Sequence, residues 1–121
     1  MRGNDRKGNP VGDIEDRRFN RVAFFTELTV RSVSSGRQCK GNSIDLSRGG
    51  IGFYSEKYFP PGDRVLIGFL LRGPDGVRSI SVAARVARSR VEAEGTLIGA
   101  EFEVPLSPIN HPVLCECIDM R

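Results

Sequence analysis

Residues 65–86, VLIGFLLRGPDGVRSISVAARV, hold two alternating apolar stretches on either side of one tight turn. The first stretch carries apolar side chains at Val65, Ile67, Phe69 and Leu71. The second carries them at Ile80, Val82, Ala84 and Val86. Alternation with a period of two is typical of a half-buried β-strand, and Gly73-Pro74-Asp75-Gly76 has the composition of a tight turn. These residues therefore predict an antiparallel β-hairpin.

The same period of two continues on both sides of this hairpin. One strand face is predicted upstream from Val22, Phe24, Leu28 and Val30. Further strands are predicted from Gln38 to Leu46 and from Ile51 to Tyr54, and a last one with Ile98, Ala100, Phe102 and Val104 in alternation. Turn residues separate the strands at Ser34-Ser35-Gly36, at Pro60-Pro61-Gly62-Asp63 and from Glu92 to Gly95. About six short strands indicate a small antiparallel barrel or sandwich, and we favour a closed all-β barrel because closure leaves no sheet edge exposed.

The C-terminal residues change from strand spacing to helical spacing. Asn110 is the predicted N-cap of a short helix, and Pro112 falls in its first turn, where proline is tolerated. One face of this helix would carry Leu114, Cys117 and Ile118. A short C-terminal helix of this kind would cover the barrel mouth or a sheet face.

The length of 121 residues fits one domain. We expect residues 1–14, which are rich in glycine, asparagine and charged side chains, to form a flexible arm, and residues 15–121 to form the folded domain. The apolar run at 65–71 is far shorter than the roughly 20 residues that a membrane helix needs. Residues 1–12 contain no apolar stretch like that of a secretory signal. These features predict a cytoplasmic protein without membrane contact.

The charge balance is mildly basic, with 18 Lys+Arg against 15 Asp+Glu and a net charge of +3. Nearly all the cations are arginines, whose planar fork suits phosphates and guanine edges. A net charge this small does not predict binding to long nucleic acid.

The sequence shows neither a metal motif nor a catalytic centre. Cys115 and Cys117 are separated by one residue rather than the two to four common in zinc sites, and His111 is the only histidine. We expect reduced, buried thiols, no cofactor and no enzymatic activity.

A first cluster of cations lies where the arm meets the first strand, in Asp16-Arg17-Arg18-Phe19-Asn20-Arg21. Three arginines within five residues are placed to clamp an anion. A solvated basic stretch is the alternative interpretation, and it is what most such clusters are.

A second motif, Asp45-Leu46-Ser47-Arg48-Gly49-Gly50, connects two predicted strands. Strand alternation predicts that Asp45 and Ser47 share one face, while Ile44 and Leu46 point into the core. The paired glycines allow a ligand to approach the backbone closely. A hairpin turn whose side chains bond only the local backbone is the alternative.

Together, Arg17-x-x-x-Arg21 and Asp45-x-Ser47-x-x-Gly50 resemble the signature of the PilZ domain, a bacterial receptor module for cyclic di-GMP. The resemblance spans roughly residues 15–118 and implies a six-stranded antiparallel β-barrel closed by a C-terminal helix. It also implies a ligand-binding set consisting of Arg17, Arg18, Arg21, Asp45, Ser47, Gly49 and Gly50. Arg88, near the end of a barrel strand, is a further candidate ligand contact, although a surface arginine is the simpler account.

The resemblance implies a function in second-messenger signalling. Arginine forks would bind phosphate or guanine, and Asp45 would accept the guanine N1–H and N2–H groups. The ligand would draw the arginine-rich arm across the barrel and present a new surface to an unidentified downstream protein. Asp16 stands where family members that bind two stacked ligands often carry arginine, which favours one ligand per protomer.

Two other functions fit parts of the sequence. A small barrel could bind single-stranded nucleic acid through exposed aromatic rings, for which Phe25, Tyr54 and Tyr58 are the candidates. A nucleotide-free PilZ-like protein-interaction module is the other, but such modules lose the arginines or the Asp/Ser pair that this sequence retains.

Overall fold

The computed structural model describes residues 19–120. It contains seven strand segments and one helix: β1 Val22–Ala23, β2 Glu27–Ser32, β3 Gln38–Leu46, β4 Gly50–Ser55, β5 Arg64–Gly73, β6 Gly76–Glu92, β7 Gly95–Phe102 and α1 Pro112–Asp119. The predicted strands are therefore present, and the fold is all-β with one short C-terminal helix.

The sheet closes on itself. Hydrogen-bonded neighbours follow the order β3-β2-β5-β6-β7-β4, and β4 pairs again with β3. All of these pairings are antiparallel. The six long strands form a closed antiparallel barrel, as predicted, and the two-residue β1 extends the sheet beside β3.

The hairpin of residues 65–86 has the predicted form. Strands β5 and β6 pair over ten positions that end at Gly73 opposite Gly76, so Pro74 and Asp75 occupy the two-residue loop. Gly76 has a φ of 114°, a conformation that other residues rarely adopt, which explains the glycine at this turn.

The first predicted strand is interrupted, which corrects the interpretation of Val22 to Val30 as one continuous face. The interruption lies at residues 24–26, between β1 and β2. The buried Ser43 hydroxyl spans this break: it donates to the Phe24 carbonyl at 2.6 Å and accepts from the Thr26 amide at 2.9 Å. The Ser43 side chain on β3 thus supplies two hydrogen bonds at the break, beside the backbone bonds from the Phe24 amide to the Ile44 carbonyl and from the Ser43 amide to the Thr26 carbonyl. This local geometry is not visible in the alternation of apolar residues.

The barrel interior is filled by the side chains that alternate inward. Phe53, Phe69, Leu28, Ile51 and Ile67 are among the largest fully buried residues. Five of the seven phenylalanines are buried in this core: Phe24, Phe53, Phe59, Phe69 and Phe102. Val104 does not join them, because β7 ends at Phe102 and leaves the Val104 side chain 64% exposed.

The C-terminal helix differs from the prediction in its cap and in its buried face. His111 is the N-cap and makes no side-chain capping hydrogen bond. The Asn110 side chain instead accepts from the Ser107 amide at 2.7 Å, and this hydrogen bond closes the turn that precedes the helix. The helix buries Leu114, Cys115 and Ile118 against the barrel, while Cys117 is only partly buried.

The arm of residues 1–14 and the predicted contacts at Asp16, Arg17 and Arg18 lie outside the described residues. Within residues 19–120, no helix has the length and apolarity to cross a membrane. Over the same residues, no group of His, Cys, Asp or Glu side chains is arranged to hold a metal ion.

Candidate functional site

The two motifs meet at one ion pair. Arg21 Nη1 donates to Asp45 Oδ1 at 2.6 Å, and both side chains are partly exposed. The pairing of β1 with β3 produces this contact, since Ala23 lies opposite Asp45. The short β1 strand therefore fixes the end of the first motif beside the start of the second.

Asp45 is held from its other side by the backbone of β4. The Gly52 amide donates to Asp45 Oδ1 at 3.1 Å, and a Cβ atom at position 52 would lie 2.7 Å from the same oxygen. Glycine at position 52 is therefore needed for the observed position of the carboxylate.

A β-bulge near Ile44 changes the predicted orientation of this part of β3. The register with β4 shifts between Ser43 and Asp45. As a result Ile44 is only half-buried and lines the same concavity as Asp45, rather than pointing into the core. A bulge places consecutive side chains out of strict alternation, which explains why the period of two failed here.

Alternation predicted that Ser47 shares one strand face with Asp45, and this prediction is wrong. Ser47 follows the end of β3 and is buried, with 1% of its surface exposed. Its hydroxyl accepts from the amides of Gly49 and Gly50 at 3.2 Å and 3.1 Å. In the structure Ser47 therefore holds the connecting loop in shape, the role that the turn interpretation of this motif gave it.

The loop contacts the first motif through Phe19. A Cβ atom on Gly49 would lie 2.7 Å and 3.0 Å from two carbons of the Phe19 ring, so the ring packs directly on the glycine. A Cβ atom on Gly50 would lie still closer to the Ala100 carbonyl oxygen. The arginine motif is thus attached to the barrel at two points, Phe19 on Gly49 and Arg21 on Asp45.

Four residues on neighbouring strands form a row across the outer face of the barrel. Asp45 lies opposite Gly52, Gly52 opposite Gly99, and Gly99 opposite Arg88. The row crosses three interstrand spacings, or about 14 Å. Because its two central members are glycines, no side chain of the row covers the backbone between Asp45 and Arg88, and we call this uncovered backbone the glycine floor. The Arg88 guanidinium leans over that floor, since a Cβ atom on Gly99 would lie 3.6 Å from Arg88 Nε.

This floor is the base of an open concavity of about 770 Å³. A volume of this size is within the range of small-molecule sites. Its lining residues are Arg21, Ile44, Asp45, Gly52, Tyr54, Pro61, Ala87, Arg88, Ser89, Arg90, Leu97, Ile98 and Gly99. Three arginines and one aspartate supply the charge of this lining, so the concavity favours an anion.

A hydrogen-bonded triad lies along one side of the concavity. The Tyr54 hydroxyl donates to Glu92 Oε1 at 3.0 Å, and Arg90 Nε donates to Glu92 Oε2 at 2.7 Å. Hydrogen bonds from Arg90 and then Tyr54 lower the pKa of Glu92, whereas the bond to Glu92 raises the pKa of Tyr54. At neutral pH the triad therefore consists of a carboxylate held by a protonated phenol and a guanidinium.

The predicted site residues are distributed over two adjoining regions. Arg21, Asp45 and Arg88 line the concavity. Ser47, Gly49 and Gly50 form the neighbouring loop, whose glycines contact Phe19 and β7. Arg17 and Arg18 lie outside the described residues, so their roles remain predictions.

Sequence reasoning missed several residues of the concavity. Gly52 and Gly99 carry no motif of their own, and only the strand register shows that they lie side by side. Tyr54 was considered only as an exposed ring, and Arg90 was not singled out. The signal that could have found Arg90 is its i+2 spacing from Arg88, which places both on one face of β6.

The closed barrel and the arginine-lined concavity on its outer face define a small antiparallel β-barrel domain with an anion-favouring site. Residues 15–118 match the PilZ domain family. This match includes most of the 121 residues, and the chain belongs to that family.

Solved structures share this fold at low sequence identity. The Bacillus subtilis inhibitor of motility, MotI/DgrA, is 18% identical with a TM-score of 0.67 over 86% of this chain and 50% of its own. The PilZ domain of YcgR from Escherichia coli, solved with c-di-GMP, is 20% identical with a TM-score of 0.62 over 86% of this chain and 89% of its own. The PilZ domain of CeSA, from a cellulose-synthesizing bacterium, is 17% identical with a TM-score of 0.57 over 84% of this chain and 96% of its own.

This chain spans about half the length of MotI/DgrA. A search of curated protein sequences returned no significant match.

Proposed function

We propose that this protein is a cytoplasmic receptor for cyclic di-GMP that acts by binding rather than by catalysis. The observation that carries the proposal is the glycine floor between Asp45 and Arg88, with Arg21 paired to Asp45 at one end. Family membership and the c-di-GMP held by the YcgR PilZ domain support the choice of ligand.

The charges of the concavity match the chemistry of this ligand, which carries two phosphates and two guanines. Arg21 and Arg88 would donate to phosphate oxygens or to guanine O6 and N7. Asp45 would accept the guanine N1–H and N2–H groups. Among the contacts of the described residues, its Oδ1 accepts from Arg21 and Gly52. Oδ2 would therefore take one of the two guanine donors, and Oδ1 would take the other once Arg21 turns toward a phosphate.

Glycines give a flat guanine a surface on which to lie. With hydrogen in place of side chains at Gly52 and Gly99, a planar ring can approach the backbone between Asp45 and Arg88. The loop of Ser47, Gly49 and Gly50 would then support the ligand from beside the floor, and Arg17 and Arg18 would add donors from the segment preceding Phe19.

Ligand binding is coupled in this proposal to the position of the N-terminal segment. The two phosphates would neutralise Arg17, Arg18 and Arg21. Because Phe19 and Arg21 already contact the barrel, the ligand would draw the residues that precede Phe19, rather than all of residues 1–21, across the barrel face. Ordering a residue costs about 1–2 kcal/mol, so the new contacts must offset that cost. The resulting surface would be recognised by a downstream protein, with no membrane and no long nucleic acid required.

The primary test is isothermal titration of the chain with cyclic di-GMP, using GTP as the control ligand. We expect saturable binding of the dinucleotide only. The variant Arg21→Ala should lower the affinity by roughly ten-fold or more, the magnitude of a lost hydrogen bond to a charged group. The matched control is Arg72→Ala, which also removes an ion-paired arginine, at 3.0 Å from Glu27, but lies outside the concavity. Equal losses in the two variants would contradict the proposed site.

Amide hydrogen exchange tests the coupled movement separately. Protection across residues 5–20 should rise when cyclic di-GMP is added. Exchange that does not depend on ligand would refute the movement while leaving the binding site intact.

The two alternative functions predict different titrations. A single-stranded nucleic-acid barrel would bind oligonucleotides with an affinity that falls steeply with salt. Of its three candidate rings, Phe25 (76% exposed) and Tyr58 (43% exposed) do not line the arginine-rich concavity, whereas Tyr54 does. A single ring there offers a series of bases no stacking path. A nucleotide-free interaction module would bind neither ligand.

A further inference from the structure

We propose that Tyr54 and Arg90, held in position by Glu92, form a second base subsite that binds the other guanine of the same cyclic di-GMP molecule. This inference rests on the proposed function, because it assumes that the first guanine lies on the floor beside Asp45.

The subsite is a second row parallel to the first. Tyr54 lies opposite Leu97, and Leu97 opposite Arg90, across strands β4, β7 and β6. Each member is two residues along its strand from a member of the first row, so the two rows are about 7 Å apart. Tyr54, Leu97 and Arg90 line the same concavity as Asp45 and Arg88. A molecule with two bases on one small ring can therefore occupy both rows at once.

The side chains of this row suit a guanine base. Glu92 Oε2 accepts from Arg90 Nε and lies 2.7 Å from Arg90 Nη2, which leaves further guanidinium N–H groups to donate to O6 and N7 of a base. The half-buried Tyr54 offers an aromatic face and Leu97 an apolar surface on which a base can stack. Adenine carries an amino group where guanine carries O6, so donors would face donors and the adenine base would bind less well.

Glu92 acts as a positioning residue in this arrangement. It holds the Tyr54 hydroxyl with one oxygen and the Arg90 guanidinium with the other, so both groups keep fixed orientations. Its side chain is only 23% exposed, compared with 72% for Arg90, which is consistent with a carboxylate enclosed by its two donors. The triad therefore differs from an isolated surface ion pair because a third group on another strand completes it.

The test compares three cyclic dinucleotides by isothermal titration: cyclic di-GMP, the hybrid cyclic GMP–AMP and cyclic di-AMP. The native chain should bind cyclic di-GMP roughly ten-fold or more tightly than the hybrid, which can fill the Asp45 subsite with its guanine but must place adenine beside Arg90. The variant Arg90→Lys keeps the charge and loses the fork. Its affinity for cyclic di-GMP should be roughly ten-fold lower than that of the native chain, and its affinity for the hybrid should be unchanged. The preference for cyclic di-GMP over the hybrid then disappears.

Two further variants separate positioning from folding. Glu92→Gln should reduce the same preference while still unfolding in a single cooperative thermal transition, which shows that the fold is intact. Arg78→Lys, on the same strand but outside the concavity, should leave all three affinities unchanged.

Each outcome bears on one of the two proposals. If Arg90→Lys retains the full preference for cyclic di-GMP over the hybrid, the second subsite is wrong and the receptor function stands. Two ligand molecules bound per protomer would also overturn the second subsite, because a second molecule would then supply the base beside Arg90. If the native chain binds none of the three dinucleotides, the receptor function itself fails, and the subsite fails with it.

Discussion

Arg21 and Asp45 are 24 residues apart in the chain, and Arg21 Nη1 lies 2.6 Å from Asp45 Oδ1 in the structure. Partly exposed ion pairs contribute less than about 1 kcal/mol to stability, so this pair serves mainly to fix where its two members lie. It places an arginine fork and a guanine-accepting carboxylate at one end of the glycine floor. A ligand with phosphate and guanine groups can engage both.

The position of Asp45 depends on Gly52, and the variant Gly52→Ala tests that dependence. The added Cβ would lie 2.7 Å from Asp45 Oδ1, so the carboxylate must move away from Arg21 and from the floor. We expect cyclic di-GMP affinity to fall by roughly ten-fold or more, corresponding to about 1.4 kcal/mol. The matched control is Gly73→Ala, where an added Cβ meets nothing within 4 Å. A Gly52→Ala protein that binds as well as Gly73→Ala would show that the Asp45 position does not matter.

The contact between Phe19 and Gly49 should couple the arginine motif to the loop. In Gly49→Ala the Cβ would lie 2.7 Å from the Phe19 ring and displace it, and Phe19→Ala removes the ring altogether. Either change should release the chain before Arg21 and increase amide exchange in residues 19–23. Because both variants lose the same contact, the double variant should bind ligand no more weakly than Phe19→Ala alone. Fully additive losses would mean that the two residues act independently.

The hairpin at residues 65–86 and the barrel could be predicted from the sequence because each strand carries its own alternation and each turn its own glycine or proline. Register and closure depend on pairings between distant strands. The β3–β4 pairing that closes the barrel and the break at residues 24–26 arise from contacts such as Ser43 with Phe24, which no local pattern specifies.

The site was predictable only where a motif marks it. The two motifs pointed to Arg21 and Asp45, and Arg88 was a further candidate; all three line the concavity, and their contacts with a ligand stay predictions. Ile44 and Ser47 were misplaced, because a bulge and the end of β3 interrupt strict alternation at these positions. Gly52, Gly99 and Arg90 come together only through the register of three strands, so their arrangement required the structure.

The triad at Glu92 predicts a pH dependence of stability. Hydrogen bonds from Arg90 and Tyr54 lower the pKa of the Glu92 carboxyl group in the folded protein. A carboxyl group with a lowered folded pKa stabilises the fold above its unfolded pKa, about 4.3, and that contribution is lost as the pH falls through the folded value. The thermal midpoint of the native chain should therefore exceed that of Glu92→Gln at pH 7, and the difference should shrink below about pH 4.

The control for this measurement is Glu94→Gln, which removes a carboxyl group from the same hairpin but neither hydrogen bond of the triad. If Glu94→Gln changes the pH dependence of the thermal midpoint as much as Glu92→Gln does, the effect comes from the loss of any negative charge rather than from Glu92 in particular.

The three cysteines should react with a thiol-labelling reagent in a fixed order. Cys39 and Cys115 are buried, and burial raises the pKa of the Cys115 thiol, so little reactive thiolate forms there. Cys117 is only partly buried and should label first in the folded protein. Mass spectrometry of the labelled chain should show one fast site, which Cys117→Ser removes. Fast labelling at Cys115 would contradict the docking of α1 on the barrel.

The most direct test of the central claim is a map of backbone amide chemical shifts recorded while cyclic di-GMP is added. The account predicts that the largest changes fall on Asp45, Gly52, Gly99 and Arg88, with little change at the Gly73–Gly76 turn beyond the concavity. Changes concentrated elsewhere on the barrel, or no changes at saturating ligand, would contradict the assignment of this face as the cyclic di-GMP site.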